Sequence, residues 1–98
     1  MANITYTYEY VWYKSRYCPD KPFRMPKCYL PDSSCIKVKD ESEIITYTVE
    51  EAKAEVQRFR ERKTDLEYKD RWNDNDYRMS NYYWRVICDL DKMIREAA

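Results

Sequence analysis

Glycine is absent from this 98-residue chain, and so is histidine. Without glycine no Gly-rich loop can wrap backbone N–H groups around a phosphate, so P-loop and dinucleotide-binding fingerprints are excluded. Without histidine the commonest general base and metal ligand is missing, and a Cys–His nucleophile cannot be assembled. There is no apolar run of membrane-spanning length, and the opening MANITYTYEY lacks a basic-then-apolar leader pattern. These absences point to a non-enzymatic protein with no cofactor and no membrane association. The expected setting is the cytoplasm, that of a host if the gene is viral.

Aromatic residues are abundant instead, with 11 tyrosines and 3 tryptophans. A tyrosine ring is apolar while its hydroxyl wants a partner, so a tyrosine-rich chain tends to display part of that surface. Ninety-eight residues suffice for a single domain, 1–98, with one modest core and little apolar material for a deep cavity. Lysine plus arginine equal aspartate plus glutamate at 18 each. The distribution is uneven: residues 1–40 carry seven basic and four acidic groups, and residues 41–76 carry eleven acidic and seven basic. Charge split in this way steers and orients a partner rather than attracting any polyanion in bulk.

Ile4, Tyr6, Tyr8, Tyr10 and Trp12 recur at period two, which predicts a long strand with one buried face. Val11 and Tyr13 put apolar groups on its other side. Four prolines, at 19, 22, 26 and 31, then mark a Pro/Cys-rich loop over 14–34, between the first and second strands. Ile36 and Val38, then Ile44 to Tyr47, predict two short strands in a hairpin around four polar residues, with no Asn-Gly or Asp-Gly to set the turn. Thr48 and Glu51 form a capping box that opens a helix with Val49, Ala52, Val56 and Phe59 on its apolar stripe. That helix is expected to reach at least Arg62, and the Asn-Asp run 73–76 to interrupt it. The last segment reads as a helix with Tyr83, Val86, Ile87, Leu90, Met93, Ile94 and Ala97 on one stripe. It also reads as a strand through Tyr82, Trp84, Val86 and Cys88, with Asp89 capping a short final helix. The expected fold class is α+β: a small antiparallel sheet of three strands, four on the second alternative, with one long and one C-terminal helix packed on one face.

Cys18, Cys28, Cys35 and Cys88 are separated by gaps of nine, six and fifty-two residues. Structural zinc sites need closer pairs, so no metal site is assigned. A disulfide from Cys18 to Cys28 or Cys35 would staple the loop if the chain met an oxidising compartment; otherwise the thiols stay reduced.

Between Tyr13 and Tyr29, cations alternate with rings, and the candidate partner-binding residues are Tyr13, Arg16, Tyr17, Lys21, Phe23, Arg24, Lys27 and Tyr29. Such a mixture anchors on an acidic protein surface or stacks on and neutralises single-stranded nucleic acid. Prolines lower the entropy lost on ordering the loop, which suits a pre-set surface. Asp65, Glu67, Asp70, Asp74 and Asp76 form a candidate acidic surface whose spacing could imitate a phosphate backbone. No glycine is available for an EF-hand turn among them.

Together these features predict a protein-interaction module that inhibits a larger macromolecule. Small size and this composition would suit a virus-encoded anti-defence protein acting on a nucleic-acid-processing complex, in the manner of anti-CRISPR proteins. The alternative is a small single-stranded nucleic-acid-binding protein using the basic–aromatic loop. The aromatic surplus is also compatible with a homodimer.

Overall fold

The computed structural model describes residues 3–97. In chain order the elements are β1 (Asn3–Ser15), β2 (Phe23–Pro26), β3 (Cys35–Thr48), α1 (Val49–Glu67) and α2 (Asp74–Ala97). The strands form one antiparallel sheet of order β2-β1-β3, so the α+β class expected from the sequence is the one that forms. Despite the missing glycine, no described residue needs a left-handed backbone, since none has positive φ. Contacts group the chain into two units, one of residues up to Tyr6 together with Ile45 onward, the other of Thr7–Ile44.

The first unit is built on the helix pair. Thr48 Oγ1 accepts from the Glu51 backbone at 3.2 Å while Glu51 Oε1 accepts from the Thr48 backbone at 3.0 Å, the reciprocal capping expected for α1. Ala52, Val56 and Phe59, at intervals of four and three, turn inward from α1; Val86, Ile87 and Leu90 do so from α2. Phe59 is met edge-on by Tyr82 at 6.1 Å and Tyr83 at 5.8 Å between ring centroids. Full burial of a Val, Ile, Leu or Phe side chain contributes about 1.5–3 kcal/mol, so both stripes stabilise the unit. Residues 82–88 are therefore helix, because a strand would have buried only alternate residues and left Ile87 outside the core.

The helix junction differs from the sequence-based expectation in one respect. Asn73–Asp76 does not simply break a helix; it starts α2. Asn73 Oδ1 accepts from the Asp76 backbone and Asp76 Oδ2 accepts from the Asn73 backbone, both at 2.9 Å. The side-chain competition that disfavours these residues inside a helix satisfies orphan N–H groups at its first turn. Trp72 closes the junction, donating from Nε1 to the Leu66 carbonyl at 3.0 Å and meeting the Tyr77 ring edge-on at 5.0 Å.

The second unit overturns two local expectations. Residues 36–47 make no hairpin: β3 runs unbroken through the polar stretch from Asp40 to Glu43. The third strand comes instead from inside the segment read as a loop. There β2 pairs antiparallel with β1 through Tyr10↔Pro26, Val11↔Met25, Trp12↔Arg24 and Tyr13↔Phe23. Proline is tolerated in β2 because it is an edge strand, where a missing donor costs no central ladder bond. Pairing with β2 also explains why β1 does not keep one buried face. Ile4 and Tyr8 are buried at even positions, but Val11 and Tyr13 are buried at odd ones.

Candidate functional site

Residues directly opposite in an antiparallel pair share a face, so β1 and β2 sort the candidate side chains onto two sides of the sheet. On one side lie Val11, Tyr13, Phe23 and Met25. The Tyr13 ring sits 6.0 Å from Phe23 and 6.1 Å from Tyr29 by centroids. Tyr13 is only 6% exposed, and Phe23 and Tyr29 are half-buried. These three rings form a small aromatic core under the loop. They hold the loop to the sheet, and Tyr13 is too buried to stack on a ligand.

On the other side Arg24 is committed as well. Its guanidinium lies 4.0 Å from the centre of the Tyr10 ring and pairs with Glu41 at 3.1 Å and Glu43 at 2.8 Å. Trp12 Nε1 donates to the same Glu41 Oε2 at 2.8 Å. The Trp12 hydrogen bond, followed by the one from Arg24, holds the Glu41 carboxyl below its usual pKa. This Tyr10–Trp12–Arg24–Glu41–Glu43 cluster was missed in the sequence because a turn at residues 40–43 would have removed both glutamates from the sheet. The one local signal against a turn was the lack of any Gly, Asn or Pro between Lys37 and Glu43.

The rest of the loop is held by local bonds. The Arg16 backbone donates to the Ser34 carbonyl at 2.8 Å, the Lys21 backbone to that of Cys18 at 3.3 Å, and the Tyr29 backbone to that of Pro26 at 2.9 Å. Asp32 accepts from both the backbone and the hydroxyl of Ser34, and these bonds lower its pKa. With the chain so pinned, Arg16, Tyr17, Lys21 and Lys27 are left exposed, Lys27 beside Glu9 at 3.7 Å. Tyr17 stands 85% exposed and Leu30 is also open to solvent. The eight candidate residues thus separate into an interior set (Tyr13, Phe23, Tyr29), an ion-paired strand residue (Arg24) and an outer set (Arg16, Tyr17, Lys21, Lys27).

None of the four cysteines is in a disulfide; Cys18 and Cys88 are exposed, and Cys28 and Cys35 are half-buried. In the first unit Asp65, Glu67, Asp70 and Asp74 are exposed, as an acidic surface requires. Glu67 is paired with Lys63 at 2.8 Å. Asp76 is drawn into capping α2 and bonds Lys69 at 2.8 Å, which together depress its pKa. A shallow depression lined by Asn3, Ile4, Thr5, Met93, Glu96 and Ala97 lies in the same unit; Glu96 is the one ionisable group it gathers. Among the described residues no helix is long and apolar enough to cross a membrane.

No protein-family model matches the chain, and no curated protein or solved structure matches it. Function therefore has to be argued from the surface.

Proposed function

We propose that this chain is a non-enzymatic protein-binding module that inhibits a larger macromolecule by covering part of it. The observation carrying the proposal is Tyr17, a ring 85% exposed on a loop that is tied down on both sides of it. A large exposed ring beside Arg16 and Lys21, on a chain that loses little entropy on binding, is the kind of anchor that protein interfaces use. The cations around it fit a partner with an acidic rim, and a nucleic-acid-processing complex of the sort blocked by virus-encoded anti-defence proteins is one such partner. Single-stranded nucleic acid is the weaker candidate, because Tyr13 is buried, Phe23 and Tyr29 are half-buried against it, and a stacking platform needs several open rings.

The test is a pull-down from host lysate with wild type and with an Arg16→Ala/Tyr17→Ala variant whose circular dichroism is unchanged. A stoichiometric protein captured by wild type and lost by the variant supports the proposal. No such protein, or one captured equally by both, counts against it. A mobility shift at low salt that collapses as salt rises would favour nucleic acid instead.

A further inference from the structure

We propose that the free edge of β3, from Ile36 to Ile44, pairs antiparallel with the same edge of a second copy of the chain about a two-fold axis at Asp40. β3 is 14 residues long and has β1 on one side only. Apart from the turn bond from the Cys35 backbone to Asp32, no described backbone bond from outside the strands reaches it. A bare edge of this length presents unpaired N–H and C=O groups and recruits another strand unless something blunts it.

Edges are commonly blunted by like charges, which repel a second copy. Here one face of the strand reads Lys37, Lys39, Glu41, Glu43, two cations followed by two anions. Run in reverse, as an antiparallel partner must, this row is its own complement. With the axis at Asp40, Lys37 faces Glu43 of the second copy and Lys39 faces Glu41, each contact occurring twice. On the opposite face Ile36 meets Ile44 and Val38 meets Ser42. Ile36, Val38 and Ile44 are all exposed, Ile44 by 68%, so the pairing covers apolar surface that the single chain leaves in water.

Charge already placed on this strand leaves room for the partner. Glu41 and Glu43 share one guanidinium, Arg24, and so keep net negative charge. Lys39 takes part in none of the described ion pairs. Two contacts oppose the pairing: Asp40 meets itself, and each chain's Lys37, 3.0 Å from its own Asp40, has to turn to reach Glu43 of the second copy. Other registers are worse. An axis at Lys39 sets Lys39 against itself and Val38 against Asp40, and an axis between two residues would set side chains of opposite faces against each other, which antiparallel pairing does not allow.

Sedimentation measured from roughly 1 to 100 µM is the test, since that range spans the affinities of weak and moderate dimers. Wild type should pass from monomer to dimer, and a Lys37→Glu/Lys39→Glu variant, with unchanged circular dichroism, should stay monomeric. A Glu41→Lys/Glu43→Lys variant should also be monomeric alone and form a heterodimer when mixed with the first, because all four facing pairs are then opposite in sign. Should that second variant fail to fold for want of its Arg24 contacts, Asp40→Asn supplies the independent check. Removing the central like charges should tighten the dimer roughly two- to fivefold. Wild type that remains monomeric throughout, or a dimer of undiminished strength in Lys37→Glu/Lys39→Glu, overturns the proposal. A dimer not tightened by Asp40→Asn overturns the axis.

Discussion

Replacing Tyr13 by alanine distinguishes a residue that builds the loop from one that binds through it. Tyr13 is 6% exposed and is flanked by Phe23 and Tyr29. An aromatic side chain buries about 150–250 Å², which at about 25 cal/mol per Å² corresponds to roughly 4–6 kcal/mol. Residual compactness of the unfolded chain removes about 10–40% of that. The remainder, about 3–5 kcal/mol, agrees with the range measured when large buried aromatics are truncated. For a chain of this size each kcal/mol moves the melting temperature by about 4–8 °C, so Tyr13→Ala should lower it by at least ~12 °C. Tyr17→Ala, at an exposed position, should change stability by no more than about 0.5 kcal/mol. Near-UV circular dichroism melts and amide exchange of β1 and β2 read both variants. A Tyr13→Ala chain that melts within a few degrees of wild type, with β2 amides still protected, would refute the aromatic core under the loop.

Thr48→Ala and Asn73→Ala each remove a helix cap and should each cost about 1 kcal/mol in urea unfolding, nearly additively because they serve different helix ends. Tyr6 donates to Asp89 at 2.9 Å, and burial, reinforced by that bond, raises the pKa of its phenol. Its share of stability is complete below the ordinary tyrosine value near 10 and is lost as the pH climbs above it, so Tyr6→Phe should flatten the fall in melting temperature above about pH 10. The carboxyls of Asp32, Glu41, Glu51 and Asp76 are all held below their usual range by hydrogen bonds. Their stabilisation is present above about pH 4 and is lost as the pH falls through the depressed values. Glu51→Gln and Asp76→Asn should each make acid unfolding less steep, as followed by far-UV circular dichroism.

The helical half of the molecule was legible residue by residue. Thr48 with Glu51 marked the start of α1, and the stripes through Phe59 and Leu90 marked the faces that meet. Caps and 3.6-residue periodicity are local, so the sequence carries them whatever the rest of the chain does. The missing glycine and histidine are likewise read from composition, and they remove the residues from which Gly-rich phosphate loops and Cys–His pairs are built. The sheet half was legible only in part. The period-two run from Ile4 to Trp12 identified β1, but which face of it is covered near Tyr13 depends on β2 and Tyr29 arriving alongside.

The same holds for the polar stretch from Asp40 to Glu43. Its composition suited a turn, and it stays extended because Arg24 and Trp12, brought near by strand pairing, give Glu41 and Glu43 partners on the sheet. The local order of residues determined helices with a marked start and apolar stripes, and composition the aromatic surplus. Only the tertiary structure decided which rings are structural and which are displayed, and that β3 has a bare edge. Helix signals are written between neighbours a few residues apart, whereas strand partners and ring contacts are chosen among residues far apart in sequence.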